Sequence, residues 1–135
     1  MDKNQIEIDA IIARFFEAFT NANGQKPNVE GMRDYFLPEG IIINNTLGIN
    51  DIYKLEDFIQ SRIKILSSGS LKEFSEREVT SKTEINNTIA QRYSRYEKSG
   101  QKNEQAFYLK GIKHFQFVNT EKGWKIAAVT WTDNA

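Results

Sequence analysis

A chain of 135 residues, 39% hydrophobic and 27% charged, has the size and balance of one globular domain spanning residues 1–135. Its 18 basic and 18 acidic residues cancel and form no like-charged run, which argues against a nucleic-acid partner. With no cysteine and a single histidine, disulfides, thiolate chemistry and multi-histidine metal sites are excluded, and neither a metal nor a cofactor is expected.

The opening MDKNQIEIDA is polar and lacks the apolar core of a secretory signal. No apolar run approaches the ~18 residues that a membrane span needs. The expectation is a cytoplasmic protein with no membrane partner. Ile8, Ile11, Ile12, Phe15, Phe16 and Phe19 then recur at helical spacing and predict a first helix with one wide apolar stripe. Asn4, with Glu7 three residues on, reads as its capping box. NANGQKPN breaks this helix at Gly24 and Pro27.

A short second helix is predicted next, capped by Asn28, with Val29, Met32, Tyr35 and Phe36 on its apolar side. Pro38-Glu39-Gly40 ends it, and Gly40 to Ile43 reads as a β-branched strand. Its NNT exit, like the NNT at Asn86, reads as turn chemistry. A third helix covers roughly Leu55 to Ser67, with Arg62 intruding on the apolar side and Glu76 as a carboxylate to pair it.

From Leu71 the period changes to two. Four extended segments follow, at about 71–85, 88–98, 104–118 and 123–133. The first two meet at Asn86-Asn87, and Gly123 is placed to close the last turn. Helices followed by a meander predict an α+β fold. Three N-terminal helices pack on the concave face of a cone-shaped, curved antiparallel sheet, with a cavity between them.

The order of elements resembles the nuclear transport factor 2-like superfamily, of cystatin-like α+β fold. The closing hairpin GIKHFQFVNTEKGWKIAAVTW resembles its SnoaL-like branch through Gly111, Lys113, Phe115, Gln116, Phe117, Val118, Thr120, Gly123, Trp124, Ile126 and Trp131. LEDFIQSRIKILSSGSLKEFSE and SRYEKSG are similar to that branch as well. The resemblance implies a small-molecule pocket and, among its activities, isomerase, cyclase or dehydratase chemistry without a cofactor. It equally implies non-catalytic, dimeric interaction or accessory modules, because one fold hosts both. The isomerases of this superfamily place a tyrosine donor on the first helix; here that face carries Phe15, Phe16 and Phe19. No catalytic residue carries over.

Five residues are candidates to line the pocket. Imidazole titrates near neutral pH, which singles out His114. Alternation puts His114 and Gln116 on one face and Phe115 and Phe117 on the other. A three-residue final turn would set Gln116 beside Trp124 and Ile126, and a four-residue turn would set Phe115 and Phe117 there, so the face that His114 takes stays open. Arg92 and Tyr96 share a face and suit a carboxylate or carbonyl, or else Arg92 pairs across strands with Glu76, Glu78 or Glu84. Arg62 completes the set. Trp124 and Trp131 stand seven residues apart, hence on opposite faces of a regular strand, and an outward Trp131 predicts a homodimer packed sheet to sheet.

Overall fold

The computed structural model describes residues 2–134. Two α-helices, α1 (Lys3–Glu17) and α2 (Leu55–Ser67), cover one face of a six-stranded sheet. The strands are β1 (Phe36–Asn44), β2 (Asp51–Lys54), β3 (Leu71–Asn86), β4 (Ile89–Lys102), β5 (Gln105–Thr120) and β6 (Gly123–Asp133). Their order across the sheet is β2-β1-β6-β5-β4-β3. The sheet is mixed rather than antiparallel throughout. β1 runs parallel to β6, because the chain returns to β6 only after the long β3–β5 meander.

The predicted second helix is instead a five-residue 3-10 segment, Glu30–Asp34. Its N-cap is Val29 rather than Asn28, which stands one residue earlier and accepts from Gly31 N at 3.1 Å. A turn this short cannot repay helix nucleation, and the chain passes at once into β1. The three-helix expectation therefore reduces to two α-helices. β1 begins at Phe36, four residues before the predicted strand, and β2 is an addition.

α1 buries Ile8, Ile11, Ile12, Phe15 and Phe16, the stripe its spacing dictates. Its cap is Asp2, whose carboxylate accepts from Asn4 N at 2.9 Å, rather than Asn4 itself. Asn4 and Glu7 reach across to β6. Trp124 Nε1 donates to Asn4 Oδ1 at 3.1 Å, and Trp124 N donates to Glu7 Oε2 at 2.6 Å. Residues that read as a local cap thus clamp the helix start onto the closing hairpin. Below the clamp, rings interlock edge to face. Phe15 meets Phe115 at 5.3 Å, Phe19 meets Phe58 at 5.9 Å, and Phe58 meets Trp131 at 6.1 Å between centroids.

Two turn geometries set the faces of the last two strands. Thr120 pairs with Gly123, so the turn is the two residues Glu121-Lys122, with Gly123 at φ 97°. Phe117 then pairs with Ile126, and Gln116 with Ala128, leaving Ala127 as a one-residue bulge. The bulge resets the alternation of β6. Trp124, Ile126, Val129 and Trp131 are all buried on the inner face. Trp131 therefore does not face outward, and this corrects the ground on which a sheet-to-sheet dimer was expected.

Candidate functional site

The inner face of the sheet carries its polar groups at one end. Across β3, β4, β5 and β6 the register aligns Glu76 with Lys98, Tyr96 with Gly111, and Lys113 with Trp131. α1 supplies Phe15 and Phe19 above them, and α2 supplies Phe58, Arg62 and Leu66. Between these elements lies a cavity of about 100 Å³, lined also by Asn44, Leu71 and Phe74. Larger concavities, of about 330 and 510 Å³, are open surface depressions. The first lies between the end of α1 and the 3-10 segment; the second lies on the outer face beside Ile52 and His114.

Lys113 is the unexpected member. Its side chain is 3% exposed and its Nζ lies 3.2 Å from Glu76 Oε2, itself on a side chain only 5% exposed. The ammonium also sits 4.1 Å from the Tyr96 ring and 4.0 Å from the Trp131 ring. Burial pushes the Lys113 amine down to about 8; the Glu76 carboxylate opposes that fall, and the like charge of Lys98 adds to it. Glu76 Oε2 makes no hydrogen bond of ordinary geometry, so this contact is an ion pair at close range.

A second group abuts the first. The Tyr96 ring passes over Gly111 and its hydroxyl donates to Asp133 Oδ1 at 2.6 Å, which Lys98 Nζ approaches at 2.9 Å. Burial and the bond to Asp133 push the Tyr96 hydroxyl far above its ordinary range. Burial would raise the Asp133 carboxyl, but Lys98 and the Tyr96 bond outweigh it and hold the group below its usual value.

Of the sequence candidates, Arg62 lines the cavity. Glu76 is not its partner: that carboxylate belongs to Lys113. Arg62 stacks on Phe58 at 4.3 Å, donates to Ser61 Oγ at 2.8 Å and has no carboxylate partner among the described residues. Tyr96 is buried beneath Lys113 on the inner face. Arg92 is also inward but closed off. Glu78 accepts twice from it, at 2.6 and 3.1 Å, Asp9 on α1 accepts at 2.6 Å, and Thr83 at 3.0 Å. Glu78 also accepts from Ser94 at 2.5 Å. With four of its five N–H donors engaged, Arg92 ties α1 to the sheet, and the cross-strand pairing with Glu78 is the reading that holds.

His114 and Gln116 leave the cone. Both are exposed, and His114 pairs with Tyr93 and Thr130 on the outer face. The two-residue turn decides this, since it pairs Phe117 with the inward Ile126 and β5 alternates without a break from there. Lys113 was missed because a lysine alternating with Phe115 and Phe117 reads as the solvated edge of a strand. Its place on the Phe115 and Phe117 face was the signal available. Among the described residues, no three His, Asp or Glu side chains are grouped to hold a metal ion.

Solved structures share this architecture. A nuclear transport factor 2-like superfamily protein from Salmonella enterica serovar Typhimurium is similar at 14% identity and TM-score 0.78, over 97% of this chain and 91% of that one. A nuclear transport factor 2-like protein from Cytophaga hutchinsonii is similar at 16% identity and TM-score 0.73, over 98% of each chain. The chain has the nuclear transport factor 2-like fold. An Exiguobacterium sibiricum protein, provisionally described as a Ca/calmodulin-dependent kinase II association domain, is similar at 10% identity and TM-score 0.77, over 100% of this chain and 96% of that one. No family model and no curated protein matches the sequence. No helix among the described residues is long and apolar enough to cross a membrane.

Proposed function

We propose that this nuclear transport factor 2-like chain binds a small organic carboxylate with an apolar body inside the cone. The observation that carries the reading is a surplus of hydrogen-bond donors facing the cavity. Arg62, Lys98 and Lys113 line it; Glu76 pairs Lys113 and Asp133 pairs Lys98, which leaves Arg62 with no carboxylate partner among the described residues. The buried Nε1 of Trp131, another lining residue, has no acceptor among the described residues. A buried donor left unmade costs ~1–3 kcal/mol, so a ligand bringing acceptors is favoured there. The rings of Phe15, Phe19 and Phe58 would take its apolar part. Cofactor-independent isomerase, cyclase or dehydratase chemistry of the SnoaL-like kind is the catalytic form of this reading.

Calorimetry with short-chain and aromatic carboxylates, each beside its neutral amide, tests it. Carboxylates should bind at least tenfold more tightly than amides, and Arg62→Met should lose about 10- to 100-fold, the worth of a charge-assisted bond. Equal binding of acid and amide, or no effect of Arg62→Met, would overturn the reading.

A non-catalytic interaction module is the second reading. A cavity of about 100 Å³ favours it, being smaller than the ~300–1,000 Å³ of ordinary ligand pockets. A homodimer through the outer sheet face belongs to either reading. That face exposes Ile52, Ile89 and Tyr93, at 62, 56 and 37%. Light scattering at tens of micromolar should give twice the chain mass, and a monomer refutes the dimer.

A further inference from the structure

Lys113 is not explained by the fold. A buried ion pair rarely stabilises more than apolar residues of the same volume would, so a methionine and a leucine would pack this site as well. Nor does anion binding require it, because Arg62, without a carboxylate partner among the described residues, already presents charge to the cavity. What the surroundings of Lys113 do is bring its neutral amine within easier reach than at a surface lysine, although Glu76 opposes this. Phe15, Tyr96 and Trp131 wall it from water, at 6.0, 4.1 and 4.0 Å from ring centroids. The Lys98 ammonium, paired to Asp133, repels a second positive charge. A desolvated lysine beside another cation is how proteins make amine nucleophiles. Glu76, 3.2 Å away, is placed to take the protons that such a nucleophile must shed.

We propose that Lys113 forms an imine with a short-chain oxo acid bound in the cone, which rests on the carboxylate reading above. The ligand's carboxylate faces Arg62 and its carbonyl carbon meets Lys113 Nζ. The amine lone pair adds to that carbon as the carbonyl pair moves onto oxygen. Glu76 Oε2 carries one proton from nitrogen to the alkoxide, giving a carbinolamine. It then carries the second to the hydroxyl, which leaves as water while the nitrogen pair closes the C=N bond. Amine and carbonyl become imine and water, with no oxidant or reductant required. A cavity of about 100 Å³ holds roughly three waters, at ~30 Å³ each, and so admits only a short chain.

The test uses the unaltered full-length protein, pyruvate as the probe, and cyanoborohydride to trap an imine as a stable secondary amine. Peptide mapping should find Lys113 modified on the order of 100-fold faster than surface lysines at pH 7. That ratio follows from the neutral fractions of amines with pKa near 8 and near 10.4. Lactate, which lacks the carbonyl but keeps the carboxylate, should protect Lys113 and form no adduct. If calorimetry shows pyruvate and lactate bound while Lys113 is no more labelled than the surface, the imine is refuted and the carboxylate site stands. If neither binds and Lys113 stays unlabelled, both readings fall.

Discussion

Glu76→Gln is expected to cost the fold about 3–5 kcal/mol at pH 7, the price of leaving a buried charge without its partner. Lys113 keeps the aromatic rings but loses Glu76, the carboxylate that lines its cavity among the described residues. The double variant Glu76→Leu, Lys113→Met should return to within ~1 kcal/mol of the parent, since apolar residues of similar volume replace such pairs at little cost. Urea unfolding of the four proteins checks this. A single-variant loss below ~1 kcal/mol, or a double variant as weak as the single, would show that the pair is not desolvated as the geometry implies. The pH dependence gives the sign independently. The folded-state value for Lys113, about 8, lies below its unfolded value. Between the two, the unfolded chain holds a proton that the folded chain has shed, so stability rises with pH through this window. That stability is lost again as pH falls through about 8. Relative to Lys113→Met, the parent should therefore gain up to ~3 kcal/mol on going from pH 7 to above pH 10. The difference between the two proteins isolates Lys113 from Tyr35 and Tyr96. Their raised values act oppositely, removing stability as pH climbs past the ordinary tyrosine range.

Gly111→Ala is expected to lose about 3 kcal/mol, at the upper end of ordinary overpacking. A Cβ there would stand 2.5 Å from the Thr132 carbonyl oxygen and closer still to the Tyr96 hydroxyl. The strain does not come from φ, which is unexceptional at this residue; it comes from what crosses the strand. Tyr96, Gly111 and Asp133 are register partners on β4, β5 and β6, and the Tyr96 ring lies over the glycine to reach Asp133 at 2.6 Å. An aromatic side chain laid across a strand glycine restores packing that the glycine lacks. Alanine would push the ring aside and break that bond. Tyr96→Phe should then cost less in the Gly111→Ala background than in the parent, because the hydroxyl has already lost its acceptor. Equal costs in both backgrounds, or an alanine variant as stable as the parent, would sink this account.

These two sites differ in how much the sequence disclosed. The stripe from Ile8 to Phe19 fixed α1, and Leu55 to Leu66 fixed α2, because helical spacing of large apolar residues is a local signal. Alternation from Leu71 onward located the four long strands to within a few residues. The same local signal misled where the element was short. Val29 to Phe36 has helical spacing but too few residues to propagate, and Asn4 with Glu7 has capping spacing but is used by Trp124. The sequence alone therefore determined the class of fold, its helix faces and the composition of its core.

Tertiary structure decided which way the closing hairpin faces. A two-residue turn put Lys113 inside and His114 and Gln116 outside, and one extra residue on β6, Ala127, turned Trp131 inward. Strand periodicity is two, so a single inserted residue inverts every assignment beyond it, and no property of Ala127 itself announces a bulge. Ion pairing was equally out of reach. Arg92 had three carboxylates within plausible reach of its strand, and only the docking of α1 added Asp9 and made the cluster closed. Arg62 was matched to Glu76 on type and burial, whereas the register handed Glu76 to Lys113. Residue type tells which charges need partners; the path of the backbone between them tells which partners they get.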